Sequence, residues 1–258
     1  MLVERFSLRS GDITIEGRVY RARGACGQQI APAIVLSHEF GLSMKSTSRY
    51  ARGLSKAGYH VFVFDFPGSG VGKSRGRNST QMSVLTEVED LGLVFRHVQS
   101  LPFVDRHRIV LAGASQGGLV SALLAAKHGD EVYRLVLYYP AFNIPDDARR
   151  GCMLGRQIDP RNVPKKFRVI GYVNLGSKYV RDAASLDPWK QIEGYRKPVL
   201  ICHGAKDGIV DIGYSRKAAS VYANAELVEF PRAHHVFAMP WTWKKAVRVT
   251  LNSLQAAQ

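Results

Sequence analysis

The sequence predicts an α/β protein whose mostly parallel, doubly wound sheet carries an inserted cap. Short apolar runs, each long enough for one buried strand, alternate along the chain with longer helix-forming segments, which is typical of parallel sheets flanked by helices. One stretch, from Pro140 to about Lys197, breaks this alternation with prolines, glycines and charges and is too long for a simple connection. We therefore expect a single domain over residues 1–258, with residues 141–195 forming a cap inserted within it.

The order of the elements follows from apolar runs and turn residues. Ser10-Gly11-Asp12 separates the first two strands with hairpin chemistry and predicts an antiparallel edge. The predicted strands are 3–8, 13–23, 33–37, 59–66, 109–112, 133–139, 199–202 and 226–230. The predicted helices are 47–57, which Gly58 ends, 81–100 and 119–126.

A glycine-rich loop at residues 67–76 contains Gly72-Lys73-Ser74, which resembles the end of a phosphate-binding loop. The full pattern requires a glycine where this chain has Pro67. We therefore expect a turn that shapes the edge of the active site, and no nucleotide.

Composition limits the cellular setting. No window of about 18 apolar residues is present, and the first twelve residues carry charges without the apolar centre of a signal peptide. Cys26, Cys152 and Cys202 are widely spaced, without metal-ligand spacing, which suits a reducing compartment. We expect a soluble cytoplasmic protein with no membrane association, and assign the cysteines no chemistry.

The chain is basic, with 36 Lys and Arg against 21 Asp and Glu and a formal net charge of +15. Such a balance raises nucleic acid as a partner. However, the basic residues are scattered, with no long run and no interleaved aromatic residues. A basic solvated surface is the better interpretation, so we expect a small-molecule substrate and no nucleic acid, and leave a homodimer open.

The segment Gly113-Ala114-Ser115-Gln116-Gly117 lies between a predicted strand and a predicted helix. In a strand-turn-helix elbow the central residue adopts strained backbone angles, and its neighbours must be small. A chance serine in a glycine-rich turn is the alternative. Because the strand and the helix are both in place, Ser115 is predicted to be a nucleophile.

A serine nucleophile needs a histidine as base and a carboxylate that orients the histidine. Where the order is serine, acid, base, both partners lie on loops after later strands. For the acid we favour Asp207, the first carboxylate after the strand 199–202, over Asp211. For the base we favour His235 over His234, because His235 directly precedes the apolar pair expected to start the packing of the last helix.

Two further histidines follow the serine. His128 ends the helix after the elbow, where capping or solvent contact is the ordinary role. His203 ends a strand and is expected to support the loop that presents the acid. The oxyanion formed on attack needs main-chain N–H donors, and the predicted donors are Gln116, at a helix N-terminus, and Phe40, after the strand 33–37.

These motifs carry a family resemblance. The elbow, His203-Gly204-Ala205-Lys206-Asp207 and Ala233-His234-His235-Val236-Phe237, in that order, resemble a serine esterase of the α/β-hydrolase superfamily. More narrowly, the chain resembles the bacterial cinnamoyl and feruloyl esterases over nearly its whole length. The motifs that support the narrower resemblance are Asp65-Phe66-Pro67-Gly68-Ser69-Gly70, Asn162-Val163-Pro164, Leu175-Gly176-Ser177-Lys178-Tyr179 and Leu186-Asp187-Pro188.

The resemblance implies a substrate site in the cap. In that family a cap aspartate and a cap tyrosine contact the phenolic hydroxyl of a hydroxycinnamoyl group, and Asp147 and Tyr179 stand at the matching positions. A glutamine that assists them falls near Leu154, and the family's His-Gly-Phe loop has Glu39 in place of glycine. The Glu39 carboxylate would orient that loop or, facing the pocket, disfavour anionic substrates.

The sequence thus predicts a serine hydrolase that cleaves carboxylic esters, including hydroxycinnamoyl esters, without metal or cofactor. A peptidase, thioesterase or lipase-like activity on the same three residues is the alternative within enzymes. A hydrolase fold that has become a binding protein is the alternative outside them.

Overall fold

The computed structural model describes residues 2–24, 29–69, 71–169 and 173–256. The strands in these ranges are β1 (Val3–Ser10), β2 (Ile13–Tyr20), β3 (Ala31–Ser37), β4 (His60–Phe64), β5 (Val104–Ala114), β6 (Arg134–Tyr138), β7 (Cys152–Met153), β8 (Arg156–Gln157), β9 (Lys166–Arg168), β10 (Asn174–Gly176), β11 (Val199–Gly204) and β12 (Ala225–Phe230). The α-helices are α1 (Met44–Ser55), α2 (Val84–Ser100), α3 (Gln116–His128), α4 (Ile144–Arg150), α5 (Ser177–Ser185), α6 (Pro188–Ile192), α7 (Ile212–Val221) and α8 (Pro240–Gln255).

Eight strands form one sheet in the order β1-β2-β4-β3-β5-β6-β11-β12. The pairs β1–β2 and β2–β4 are antiparallel, and the remaining pairs are parallel. The predicted fold class is therefore confirmed, including the antiparallel hairpin at one edge. Because the strands from β4 to β12 are parallel, the loops that follow them all leave the sheet at the same edge.

Helices cover both faces of the sheet, which explains why its strands are continuous apolar runs. Successive residues of β3 alternate between two cores, with Val35 in one and Ile34 and Leu36 in the other. The first core contains residues of α2, α3 and α7, and the second contains residues of α1 and α8. This double layer makes the sheet a rigid base for the loops at its carboxyl edge.

The boundaries differ from the expected ones where tertiary contacts decide them. The long helix starts at Val84 because Ser83 forms a capping box with Thr86. The strand that leads to the elbow is longer than predicted and begins at Val104. Tyr139, predicted to end a strand, instead has φ +39° and leaves the sheet.

The last helix also departs from expectation. His235, Val236 and Phe237 form a short 3-10 turn, and α8 begins only at Pro240. Val236 and Phe237 both have positive φ, at +69° and +47°, so the apolar pair makes a turn before the helix rather than its first residues.

Residues 141–195 carry small elements, α4, α5 and α6 with two short hairpins, β7–β8 and β9–β10. Their apolar side chains, including Ala148, Leu175 and Tyr179, join the core on the α2 and α3 side of the sheet. Residues 170–172 of this stretch lie outside the described residues. The stretch therefore packs on the domain core and has its own short secondary structure.

The glycine-rich loop is tied to the sheet by polar contacts. The Lys73 N–H donates to Asp65 Oδ2 at 2.7 Å, and the Ser74 hydroxyl donates to the Asp65 carbonyl at 2.5 Å. The same Asp65 carboxylate accepts the Met44 N–H at the start of α1, at 2.7 Å. Gly70 lies outside the described residues. In the described part, the Lys73 amide is bonded to a side chain of the protein itself.

Candidate active site

Ser115 occupies the sharp turn between β5 and α3. Its backbone angles are φ +52° and ψ −119°, a conformation that side chains rarely adopt. A Cβ on Gly113 would lie 2.1 Å from the Gly117 carbonyl oxygen, and one on Gly117 would lie 2.4 Å from the His38 carbonyl oxygen. The two glycines are therefore required by close backbone approach, which the sequence pattern predicted.

Ser115, His235 and Asp207 form one chain of hydrogen bonds. His235 Nε2 lies 2.9 Å from the Ser115 hydroxyl oxygen, and His235 Nδ1 lies 2.6 Å from Asp207 Oδ2. These partners fit an imidazole that donates from Nδ1 to the carboxylate and accepts the serine proton at Nε2. The three residues come from the loops after β5, β11 and β12, which meet at one edge of the sheet.

The Asp207 carboxylate is buried and fully hydrogen-bonded. Its Oδ1 accepts the N–H groups of Ile209 and Val210, both at 2.9 Å. Its Oδ2 faces His235 and also His203 Nε2, the latter at 3.1 Å. Burial alone would raise the pKa of Asp207, but the hydrogen bonds from His203 and His235 outweigh it and hold the pKa well below its ordinary value. Asp207 is therefore ionised at neutral pH.

The competing residues lie elsewhere. Asp211 caps the N-terminus of α7, where its Oδ1 accepts the Gly213 N–H at 2.7 Å. His234 is exposed, and His128 packs edge-on against Phe95 and contacts Glu131. The histidine and the carboxylate that meet Ser115 are thus the two that the sequence analysis favoured.

His203 stands behind the carboxylate, as its position at the end of β11 suggested. It is fully buried, its Nδ1 lies 2.6 Å from the Ser215 hydroxyl, and its Nε2 lies 3.1 Å from the Val210 carbonyl. The partners fit the tautomer that carries its proton on Nε2 and accepts from Ser215. His203 therefore joins α7 to the loop that presents Asp207.

The loop after β3 lies directly against the elbow, because Gly117 abuts the His38 carbonyl. His38 is buried, with Nδ1 2.7 Å from the Glu39 carbonyl and Nε2 accepting the Phe66 N–H at 3.1 Å. Burial lowers the pKa of His38, so its neutral ring links this loop to the end of β4. Within the described part of the chain, the N–H groups of Phe40 and Gln116 donate to no protein acceptor, which leaves both amides free for a ligand.

The Glu39 side chain is bonded within the protein. Its Oε2 accepts the Ser46 hydroxyl at 2.5 Å, and its Oε1 accepts the Tyr139 hydroxyl at 3.0 Å. The residue is only 4% exposed. Of the two roles considered from sequence, these contacts favour the orientation of its loop.

The cap residues are each tied to their own surroundings. Tyr179 is fully buried, with its hydroxyl donating to Gln116 Oε1 and its ring edge-on to Phe40 at 6.1 Å. Asp147 accepts the Asn143 amide at 2.6 Å and pairs with Arg150. Leu154 has φ +47° and is partly buried in the turn between β7 and β8. The structure therefore brings Tyr179 next to the elbow helix. Burial raises the pKa of Tyr179 most, and Asp147 is close enough for its charge to raise that pKa further.

Two buried residues at this site escaped sequence reasoning. Glu87 accepts the Gln116 side-chain amide at 2.7 Å, and burial raises the pKa of Glu87 to about 8. Tyr139 packs edge-on against the His235 ring at 4.9 Å. Glu87 in an apolar helix segment was a signal, because glutamate is seldom fully buried without a partner. Tyr139 read as an ordinary strand residue and carried no signal.

Neither described cysteine is part of the hydrogen-bonded chain of Ser115, His235 and Asp207. Cys152 is half-buried and Cys202 is buried in the sheet, where burial raises the pKa of its thiol. Cys26 lies outside the described residues. In the ranges that the structure describes, no group of three His, Cys, Asp or Glu residues is arranged to hold a metal ion, and no helix has the length and apolarity needed to cross a bilayer.

Solved structures share this architecture over nearly the whole chain. The structure of Est1E from Butyrivibrio proteoclasticus with bound ferulic acid superposes with a TM-score of 0.89 and 26% sequence identity, over 98% of this chain and 100% of that chain. The complex of DcsB with its substrate analogue gives a TM-score of 0.79 at 20% identity, over 99% of both chains, and shows the fold alone.

A curated relative matches this chain over only part of its own length. The α/β-hydrolase domain-containing protein WAV2 of Arabidopsis thaliana is 28% identical over 190 residues, which are 71% of this chain and 56% of WAV2. The chain thus spans little more than half of that relative. The model of the family described as serine aminopeptidase, S33 (Hydrolase_4), matches residues 28–167, more than half of the chain and including Ser115. The chain therefore belongs to this family of α/β hydrolases, and the resemblance drawn from its motifs is confirmed.

Proposed function

We propose that this protein is a serine esterase that hydrolyses carboxylic esters through an acyl-enzyme. The hydrogen-bonded chain from Ser115 through His235 to Asp207 carries the proposal. A histidine that accepts from a serine hydroxyl and donates to a buried carboxylate is the arrangement that activates serine toward an acyl carbon.

In the first half of the reaction, the Ser115 oxygen attacks the ester carbonyl while His235 Nε2 takes the hydroxyl proton. Asp207 stabilises the positive imidazolium through Nδ1. The tetrahedral intermediate collapses when the imidazolium gives its proton to the leaving alcohol, and the acyl group stays on Ser115. Water then attacks the acyl-enzyme by the same route, with His235 as base, and releases the acid.

The Phe40 and Gln116 amides are the proposed donors to the oxyanion. Gln116 is the first residue of α3, so its N–H has no acceptor within the helix, and the helix dipole favours negative charge there. The Phe40 loop abuts the elbow through Gly117. Donors held in place before the reaction stabilise the transition state without reorganisation.

For the acyl group we propose a hydroxycinnamoyl ester. Support comes from the likeness to Est1E, whose structure holds ferulic acid, and from the cap positions of Asp147 and Tyr179. Leu154 and Glu39 stand where the resembled family has glutamine and glycine. Leu154 would contribute apolar surface against the aromatic ring of the substrate, and Glu39 would orient the loop after β3. A preference for butyrate over ferulate esters would contradict the hydroxycinnamoyl assignment but would leave the proposal of a serine esterase intact.

The Ser115→Ala variant tests the esterase itself. We expect hydrolysis of p-nitrophenyl butyrate to fall by a factor of at least about ten thousand, because the nucleophile is lost. Wild type should label with a fluorophosphonate probe and the variant should not. Ser121→Ala is a matched control, since Ser121 is a buried serine of α3 whose hydroxyl donates to the Ala112 carbonyl, at 3.0 Å.

Activity that persists in purified Ser115→Ala would contradict the proposal. A wild-type protein that neither labels nor hydrolyses esters, and that binds DNA with a strong salt dependence, would favour the binding-protein alternative.

A further inference from the structure

A second set of contacts reaches the His235 ring, in addition to those with Ser115 and Asp207. The Tyr139 ring packs edge-on against the His235 ring, with centroids 4.9 Å apart, and against Phe237 at 4.8 Å. Tyr139 holds a left-handed backbone conformation, φ +39°, in which its N–H donates to the Cys202 carbonyl at 2.7 Å. A left-handed conformation is costly for a bulky side chain, so the surrounding contacts determine where this ring lies.

The Tyr139 hydroxyl connects this ring to the loop after β3. It donates to Glu39 Oε1 at 3.0 Å, and burial holds the pKa of Tyr139 well above its ordinary value, so the hydroxyl remains a donor. The other Glu39 oxygen accepts from Ser46 at 2.5 Å. No Lys or Arg of the described ranges lies within ion-pair distance of Glu39. Glu39 is therefore a buried carboxylate held by two hydroxyl groups.

The main chain of Glu39 adjoins the proposed oxyanion donor. Its carbonyl accepts the Leu42 N–H at 3.3 Å and lies 2.7 Å from His38 Nδ1, and the next residue is Phe40. The backbone of Glu39 thus lies beside the amide that would bind the oxyanion, while its side chain holds the tyrosine that packs on the base. One residue connects two parts of the proposed machinery.

We propose that Glu39, acting through Tyr139, positions His235 and balances the positive charge that His235 acquires during the reaction. The inference rests on the serine esterase proposed above. The Tyr139 ring restricts the imidazole to the orientation that meets both Ser115 and Asp207. The Glu39 carboxylate, one ring away in a buried setting, favours the imidazolium over the neutral imidazole.

Other groups surround the His235 ring. Arg49 donates to the carbonyl of Val236, the next residue, and Tyr50 has its hydroxyl 3.4 Å from that of Tyr139. The charged and titratable groups that face the ring or stand directly behind its neighbours are Asp207, His203, Tyr139, Tyr50, Glu39 and Arg49. Of these, Asp207 and Glu39 favour the imidazolium, and Arg49 opposes it.

Tyr139→Phe tests the positioning step, because it removes the hydroxyl and keeps the ring. We expect kcat for p-nitrophenyl butyrate to fall about tenfold, the effect of one lost hydrogen bond. KM should stay within about twofold, since the Tyr139 side chain is fully buried. Tyr138→Phe is the matched control: the neighbouring tyrosine is equally buried and loses one hydrogen bond, to Thr250 at 2.8 Å, away from His235. Equal kinetics in the two variants would reduce Tyr139 to a packing residue.

Glu39→Gln tests the charge separately. Glutamine keeps the size and can still accept from Tyr139, so the structure is preserved while the negative charge is lost. With the nearby negative charge gone, the imidazolium loses an interaction that stabilises it relative to the neutral imidazole. The acid limb of the kcat/KM profile should therefore move to lower pH. An unchanged limb would overturn the charge-balancing role even if Tyr139→Phe cannot be purified.

A combined variant tests whether the two residues act as one unit. Because Glu39 and Tyr139 share a hydrogen bond, the fold-loss of kcat in Glu39→Ala/Tyr139→Phe should be smaller than the product of the fold-losses in Glu39→Ala and in Tyr139→Phe. Multiplicative losses would mean that they act independently. If wild type lacks esterase activity, or Ser115→Ala keeps it, the esterase proposal fails; if both behave as expected and these variants match wild type, only the role of Glu39 and Tyr139 fails.

Discussion

The carboxyl edge of the sheet and the cap differ in the range of the hydrogen bonds that hold their polar side chains. At the edge, Ser115, His235 and Asp207 come from three separate loops, yet they bond to each other. In the cap, Asp147 bonds to Arg150 of its own helix and to Asn143, which directly precedes that helix. Long-range bonds of the first kind hold side chains in one geometry, whereas local bonds of the second kind can be exchanged for a ligand.

The difference indicates how the two regions divide the work. The edge is built on a sheet covered on both faces, so its loops start from fixed positions. The cap consists of short helices and two-stranded hairpins whose shape depends on packing. Reaction type is therefore expected to follow the edge, and preference for the acyl group to follow the cap. Tyr179 is the exception, because its hydroxyl bonds Gln116 at the elbow.

The largest expected effect comes from a substitution at the sheet edge that removes the charge of Asp207. Asp207→Asn should lower kcat for p-nitrophenyl butyrate by a factor of about one thousand to ten thousand, because the amide cannot stabilise the imidazolium and favours the wrong tautomer. Asp211→Asn is the matched control, since asparagine caps a helix as well as aspartate does. Steady-state kinetics of both variants measure this, and equal losses of kcat would contradict the role of Asp207 as the carboxylate that stabilises His235.

A smaller effect concerns Glu87, which joins the edge to the cap through Gln116 and Tyr179. Its pKa rises from the ordinary 4.5 to about 8 because it is buried, although the Gln116 hydrogen bond acts in the opposite direction. The folded protein therefore keeps a proton that the unfolded chain releases, and stability falls as pH rises from about 4.5 to about 8.

Glu87→Gln has no proton to lose, so it should remove this part of the pH dependence. At pH near 8 the variant should be more stable than wild type by about 1 to 3 kcal/mol, with a smaller difference near pH 5. Urea unfolding at both pH values measures this. Glu89→Gln, at an exposed position of the same helix, should leave the wild-type dependence in place, and the same dependence in Glu87→Gln would refute the buried-proton explanation.

The smallest expected effect tests whether the cap sets the preference for the acyl group. Asp147→Asn should lower kcat/KM for methyl ferulate about tenfold, the effect of weakening one hydrogen bond to the phenolic hydroxyl, and leave methyl butyrate within about twofold. Asp146→Asn provides the control on the same helix, because Asp146 bonds Arg149 and Tyr214 instead. Equal losses on both esters would assign Asp147 a structural role.

Much of the fold could be predicted because strand and helix formation is local. Apolar runs covered on both faces marked the parallel strands, and Gly58 marked the end of a helix. The helices α7 and α8 were not delimited, because their polar faces dilute the apolar pattern. Residues 235–237 were misplaced, since the positive φ of Val236 and Phe237 is imposed by packing and neither residue type favours it.

The site divides in the same way. The elbow could be recognised because backbone strain demands glycine within two residues of Ser115. The loops that could hold an acid and a base followed from chain order. The contacts of Glu39 with Tyr139 and of Glu87 with Gln116 could not, because each joins residues 100 or 29 positions apart and nothing local distinguishes either partner.

By itself, the sequence determined the alternating strands and helices, the strained turn at Ser115 and the order of the loops that follow it, because these depend on backbone conformation and on neighbours in the chain. Only the tertiary structure decided that His235 rather than His234 meets Ser115, that His203 stands behind Asp207, and that Glu39 turns toward Tyr139. Those outcomes depend on distances of about 3 Å between side chains on different elements, and such distances exist only once the sheet has brought its loops together.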